Sequence, residues 1–135
     1  MEKFKEKVED VQKILEDTMR NYFSDIEVNI VNFYRSIRVT NKDWSLNFWI
    51  RIYEYNNTLV LDFSSVEIPK EYRRKGIFTE VINKLKKYEH TKEIRVTSTL
   101  TNEMRSWCVK NDFKATNELD FVYNKEINKW KQKDF

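Results

Sequence analysis

The residues best suited to chemistry lie in one short stretch, Tyr72-Arg73-Arg74-Lys75-Gly76-Ile77-Phe78-Thr79. Three cations precede Gly76, the only glycine among 135 residues, and an apolar helical pattern follows it. The first N–H groups of a helix have no partner within the helix, and the helix dipole adds partial positive charge there. Glycine lets a ligand approach the backbone closely. A strand, a tight basic turn and a helix therefore make an anion site, most simply for a pyrophosphate. The spacing excludes a Walker loop, which requires G-x-x-x-x-G-K-[ST], and a dinucleotide fingerprint, which requires G-x-G-x-x-G. A basic helix start whose glycine serves only the turn satisfies the same stretch, so the shape alone leaves both readings open.

The elements that must position this turn are legible from periodicity. Phe4, Val8, Val11, Leu15, Met19 and Tyr22 form one apolar stripe, which predicts a helix from about residue 3 to 22. Residues 26–40 read as extended, with Val28/Ile30 and Ile37/Val39 alternating. "WSLNFWIRIYEY" predicts a strand with Trp44, Leu46, Phe48, Ile50 and Ile52 on one face. Asn56-Asn57 is a turn signal, and "TLVLDFSSVEIP" is a second long strand stopped by Pro69. Ile77, Phe78, Val81, Ile82, Leu85 and Tyr88 predict a helix running to about His90. A strand at "EIRVTST", a helix at "TNEMRSWCVKN" capped by Thr101, and a strand at "ELDFVYN" complete the order α-β-β-β-β-α-β-α-β. The tail "KEINKWKQKDF" is polar and offers Ile127 and Trp130 as docking points. The expected fold is α+β, a mixed, mainly antiparallel sheet flanked by helices, in a single domain over residues 1–135.

Composition narrows the classes of function. A chain 40% hydrophobic and 15% aromatic argues against disorder, despite 35% charged residues. The net charge of +3, from 25 basic and 22 acidic residues, is near balance and does not favour nucleic acid as the partner. One cysteine, Cys108, excludes an internal disulfide and fits a reducing cytosol. One histidine, His90, beside one cysteine argues against a metal site. No apolar run approaches a membrane span, and "MEKFKEKVEDVQ" lacks a signal peptide's apolar core. The expectation is a cytoplasmic protein without a membrane partner.

The segment from about Leu59 to Tyr123 resembles the GCN5-related N-acetyltransferase family. Its signature, a strand followed by [QR]-x-x-G-x-[GA] and a long helix, is matched by "LVLDFSSVEIP" and then Arg73-x-x-Gly76-x-Phe78. Phe78 stands where the family has a second small residue. Further on, "MRSWCVKNDF" occupies the place of a helix that carries an apolar-Tyr pair and ends in Gly-Phe. Asp112 replaces that glycine, and Cys108 sits at the usual tyrosine.

The resemblance implies a GNAT-like acyl-CoA acyltransferase fold that binds acetyl-CoA as acetyl donor. Backbone groups at Val66 and Ile68 would pair with the pantetheine arm like an added strand. Backbone N–H groups over Arg74, Lys75, Gly76, Ile77, Phe78 and Thr79 would hold the pyrophosphate, with Arg73 adding charge. The chemistry implied is transfer of the acetyl group to an amine, which must lose a proton before attack. Burial can raise a carboxylate's pKa to suit that task. Asp62, on the same nominal strand face as Val66 and Ile68, aligns with the family's strand base, and Glu67 is the second candidate. For each the structural reading comes first, Asp62 as a buried carboxylate with a bonded neighbour and Glu67 as a solvent-facing residue, and the catalytic one second. Cys108 is either a weak acid near the departing thiolate or a small buried hydrophobe. The acceptor, a small-molecule or protein amine, would meet the aromatic ribbon Trp44–Tyr55 and Trp107. Exposed aromatics also allow a homodimer. Two rival readings are a non-catalytic binding or regulatory protein that keeps the fold, and a nucleic-acid-binding accessory protein using the Arg73–Lys75 patch.

Overall fold

The computed structural model describes residues 2–73, 75–99 and 101–126, so Arg74 and the tail residues Ile127 and Trp130 lie outside it. Its elements are α1 (Glu2–Met19), β1 (Glu27–Val31), β2 (Ser36–Thr40), β3 (Asn47–Tyr55), β4 (Thr58–Glu67), α2 (Ile77–Lys87), β5 (Thr91–Val96), α3 (Asn102–Lys110), β6 (Lys114–Ala115) and β7 (Phe121–Asn124). The strands form one seven-stranded sheet in the order β1-β2-β3-β4-β5-β7-β6. β4 and β5 run parallel, and every other neighbouring pair is antiparallel. This is the mixed, mainly antiparallel α+β sheet flanked by helices that the sequence implies.

Cross-strand partners project to the same side, so the register sorts the side chains into two faces. Val39, Phe48 and Val66 share one face with Ile50, Phe63, Leu61 and Ile94. All three helices pack on this side. Val8, Val11, Leu15 and Met19 of α1 are fully buried in one apolar cluster with Val81, Ile82 and Leu85 of α2 and Cys108 of α3. Each such large apolar side chain contributes about 1.5–3 kcal/mol on burial. Phe78 sets the join between helices and sheet, with edge contacts to Phe48 and Phe63 and a tilted contact to Trp107 at 4.5 Å.

The opposite face carries Arg38, Trp49, Arg51, Tyr53, Asp62, Ser65, Glu67, Glu93 and Arg95, by the same register. Among the described residues, no helix covers it.

Several expectations need correction. Trp44 does not join Leu46 and Phe48 inside. It is 54% exposed, in a left-handed turn at φ 62 ahead of β3. Tyr22 lies beyond α1, in a turn whose backbone bonds return to Met19. The two-residue strand β6 has no apolar pattern of its own, and periodicity could not reveal it.

A chain with one glycine must find its left-handed turns elsewhere. Among the described residues, eight non-glycine residues have positive φ. Asn56 and Asn57 form the two-residue hairpin between β3 and β4, a position asparagine tolerates. Asp112, at φ 68, takes the left-handed position after α3, where Phe113 N–H returns to the Cys108 carbonyl at 2.9 Å. That is why a glycine is usual there.

Candidate functional site

The parallel pair β4 and β5 runs from Leu59/Thr91 to Phe63/Val96, with one register shift after Leu59, and a last bond runs from Thr97 N–H to the Phe63 carbonyl at 3.1 Å. Beyond it the strands part. The cause lies on the other side of β4. Trp49 pairs with Ser65 and Ile50 with Phe63, so Ser64 is an extra residue, a β-bulge. A bulge bends its strand and increases the local twist. Its hydroxyl donates to the Trp49 carbonyl at 3.2 Å. From Ser64 to Glu67, β4 is paired only with β3, and its far edge faces the gap.

The bulge also reverses side-chain parity, which corrects one expectation. Val66 pairs with Phe48 and faces the helices, whereas Asp62 pairs with Arg51 and faces the helix-free side. Asp62 and Val66 are therefore on opposite faces. Glu67, paired with Asn47, is exposed on the side of Asp62.

The chain turns at Pro69, which cannot continue the ladder, into a short 3-10 turn at Lys70–Tyr72 and reaches Gly76. Gly76 is the N-cap of α2 at φ 77, a left-handed angle that glycine adopts without steric cost. No side chain caps the helix, and a Cβ placed on Gly76 would meet no atom within 4 Å. The first backbone N–H groups of α2, at Ile77, Phe78 and Thr79, thus have no side-chain cap, the arrangement in which a helix start can take an anion.

The two described cations of the turn point elsewhere. Arg73 Nε donates to the Ile68 carbonyl at 3.0 Å, and Lys75 Nζ sits 5.2 Å from the Tyr72 ring centroid. Arg73 braces the turn, and it uses a carbonyl that sequence reasoning had offered to the pantetheine. Thr79 contributes more than its N–H, since its hydroxyl accepts from Trp107 Nε1 at 2.8 Å and ties α3 to the start of α2.

Asp62 is 8% exposed, and burial pushes its pKa up, opposed by the Thr97 hydroxyl and the Arg95 and Arg51 guanidiniums. Thr97 Oγ1 donates to Asp62 Oδ1 at 2.9 Å. Thr97 ends β5 where the strands separate, so this carboxylate sits at the base of the gap. Cys108 is fully buried and its thiol is pushed up to about 12 by desolvation alone. It occupies the core as a small hydrophobe. His90 lies 3.4 Å from the Glu89 carboxylate and meets the Tyr88 ring edge-on. Among the described residues, no group of His, Cys, Asp and Glu is placed to hold a metal ion.

The aromatic residues expected around one acceptor cleft are divided by the sheet. Trp107 packs among Phe78 and Phe113 on the helical side, while Trp49 and Tyr53 face the open side. There Tyr53, Tyr55, Val60, Lys92 and Arg95 line an open groove of about 300 Å³. Sequence reasoning missed Arg38, Asn47 and Thr97, for which only strand alternation gave a signal.

No family model and no curated protein matches the sequence. Among solved structures, the chain is similar to Arabidopsis thaliana Naa50 in complex with the bisubstrate analogue CoA-Ac-MVNAL. The likeness covers 64% of this chain and 69% of that one, at 15% identity and a TM-score of 0.45. A likeness this distant carries no residue-by-residue correspondence. Among the described residues, no helix is long and apolar enough to cross a membrane.

Proposed function

We propose that this chain is a GCN5-related acetyltransferase that takes acetyl-CoA as donor and an amine as acceptor. One observation carries the reading: a bulged β4 parts from its parallel neighbour β5 and leads into an uncapped, glycine-started helix. The free edge of Ser64–Glu67 suits an extended arm, and the Ile77–Thr79 N–H groups suit a pyrophosphate. The donor would supply a reactive thioester.

In this reading Asp62 takes the proton of the incoming amine. Burial makes it a stronger base than an ordinary aspartate, and the Thr97 hydroxyl holds one of its oxygens. Glu67, on the same face, is the second candidate. Cys108 has no step here, because a buried thiol with its pKa raised to about 12 is a poor proton donor to a thiolate. Isothermal titration with CoA tests the binding, and thiol release from acetyl-CoA in the presence of candidate amines tests the transfer.

A second reading is favoured by that same buried Cys108. No proton donor stands in its place, which suits a protein that keeps CoA binding and has lost transfer. CoA binding without thiol release from any amine would select it. Cytoplasmic location and the single domain remain part of the proposal.

A further inference from the structure

The helix-free face holds two arginines outside any close ion pair: Arg51, whose charge is felt by Asp62 across the strands, and Arg38. Arg38 on β2 pairs with Trp49, and Arg51 lies two residues further along β3, so the two are diagonal neighbours. Among the described residues, neither has a carboxylate within 4.0 Å. The Arg38 guanidinium carbon sits 4.3 Å from the Trp49 ring centroid and 5.4 Å from that of Trp44. Stacking fixes the plane of the guanidinium and removes water from its faces. It leaves the hydrogen-bonding edge unused: the Arg38 Nε is buried without a partner. Asn47 Oδ1, on the other diagonal, is also buried without a partner.

Arg38 as a whole is half-buried, so a guanidinium held in place by two rings offers its accessible side to a carboxylate, and such charge-assisted bonds are the strong ones. Asp62 and Glu67 on the same face lower the local positive charge, which favours a monoanion over a phosphate dianion. Arg38 stands two strands from Ser65 on β4, about 10 Å at the usual strand spacing. Ser65 borders the gap in which the thioester would lie.

We propose that Arg38, flanked by Trp44 and Trp49 and helped by Arg51, binds a carboxylate of the acceptor. The acceptor is then an amine whose carboxylate lies about 10 Å away, the span of roughly three extended peptide residues. The placement rests on the acetyltransferase reading of the gap, while the carboxylate site itself does not.

The test titrates the CoA-saturated full chain with Ala-Ala-Ala as the free acid and as the C-terminal amide. The free acid binds at least about tenfold more tightly than the amide, the discrimination expected of one charge-assisted contact. Arg38→Gln abolishes that preference and leaves CoA affinity unchanged. Arg38→Lys, which keeps the charge and loses the fork, retains part of it and decides the matter if Arg38→Gln does not fold. Equal binding of acid and amide, no binding of either, or an undiminished preference in the folded variants overturns the proposal and leaves Arg38 as a structural rung between two indoles. Thiol release followed in the same mixtures separates the two claims. Carboxylate-selective binding without release sustains the site and removes the transferase reading, and release without carboxylate preference does the reverse.

Discussion

Gly76 can be perturbed in two ways that the structure predicts to differ. In Gly76→Ala the new Cβ meets no protein atom within 4 Å, so the cost is backbone strain at φ 77 and nothing else. Left-handed angles cost a non-glycine residue about 1–2 kcal/mol. For 135 residues the unfolding entropy makes 1 kcal/mol worth about 3–4 °C, so the melting temperature should fall by about 4–7 °C. CoA affinity should change by less than about threefold. Gly76→Asp carries the same strain and adds a negative charge beside the first N–H groups of α2. At about 5 Å and an effective dielectric near 20, repulsion from one phosphate charge is roughly 3 kcal/mol, and salt reduces it to about 2–3. That weakens CoA roughly 30- to 100-fold. Calorimetric titration and melting curves of both variants measure the two effects. Folded Gly76→Asp protein that binds CoA with wild-type affinity would refute the anion cradle.

Asp62→Asn tests the buried carboxylate through pH. The raised native pKa means that Asp62 favours folding below its unfolded pKa and loses that advantage as pH rises through the folded value. Asparagine can still accept from Thr97, so the variant's stability relative to wild type should grow from near zero at about pH 3 toward neutral pH in denaturant titrations, and an equal loss at every pH would count against the assignment. Cys108 should resist thiol reagents in the folded chain and react fully in denaturant, and Cys108→Ala should leave CoA binding intact while costing about 1 kcal/mol. Fast labelling of native protein would place the thiol at the surface instead. Trp107→Phe should lower stability by about 1 kcal/mol through loss of its bond to Thr79, and an unchanged melting curve would show that this bond is not needed.

Periodicity carried most of the fold. The α1 stripe, the α2 stripe and the Asn56-Asn57 hairpin are local patterns and all three are present, although α1 ends at Met19 short of Tyr22 and α2 at Lys87 short of His90. The lone glycine was legible for the same reason, because a helix N-cap at positive φ is a local demand. What failed was non-local. The Ser64 bulge arises from pairing with β3, and nothing within "LVLDFSSVEIP" announces which residue is extra, so Asp62 and Val66 were read onto one face. Arg73 looked like an anion ligand, yet the turn needs it at the Ile68 carbonyl. Trp44 continued an alternating pattern by coincidence, since the strand begins three residues later. The Arg38–Trp49 stack and the Asp62–Thr97 bond depend on strand neighbours far apart in the chain, which single-strand alternation does not encode.

The central claim is that CoA lies along the free edge of β4 with its pyrophosphate at the start of α2. Backbone amide shifts of isotope-labelled protein, followed during titration with CoA, test it most directly. The largest changes should fall at Ser65–Ile68 and at Gly76–Thr79, with the Tyr53–Tyr55 end of β3 and all of β1 unmoved. Changes centred on the groove of Tyr53, Tyr55 and Lys92, or no changes at saturating CoA, would contradict it.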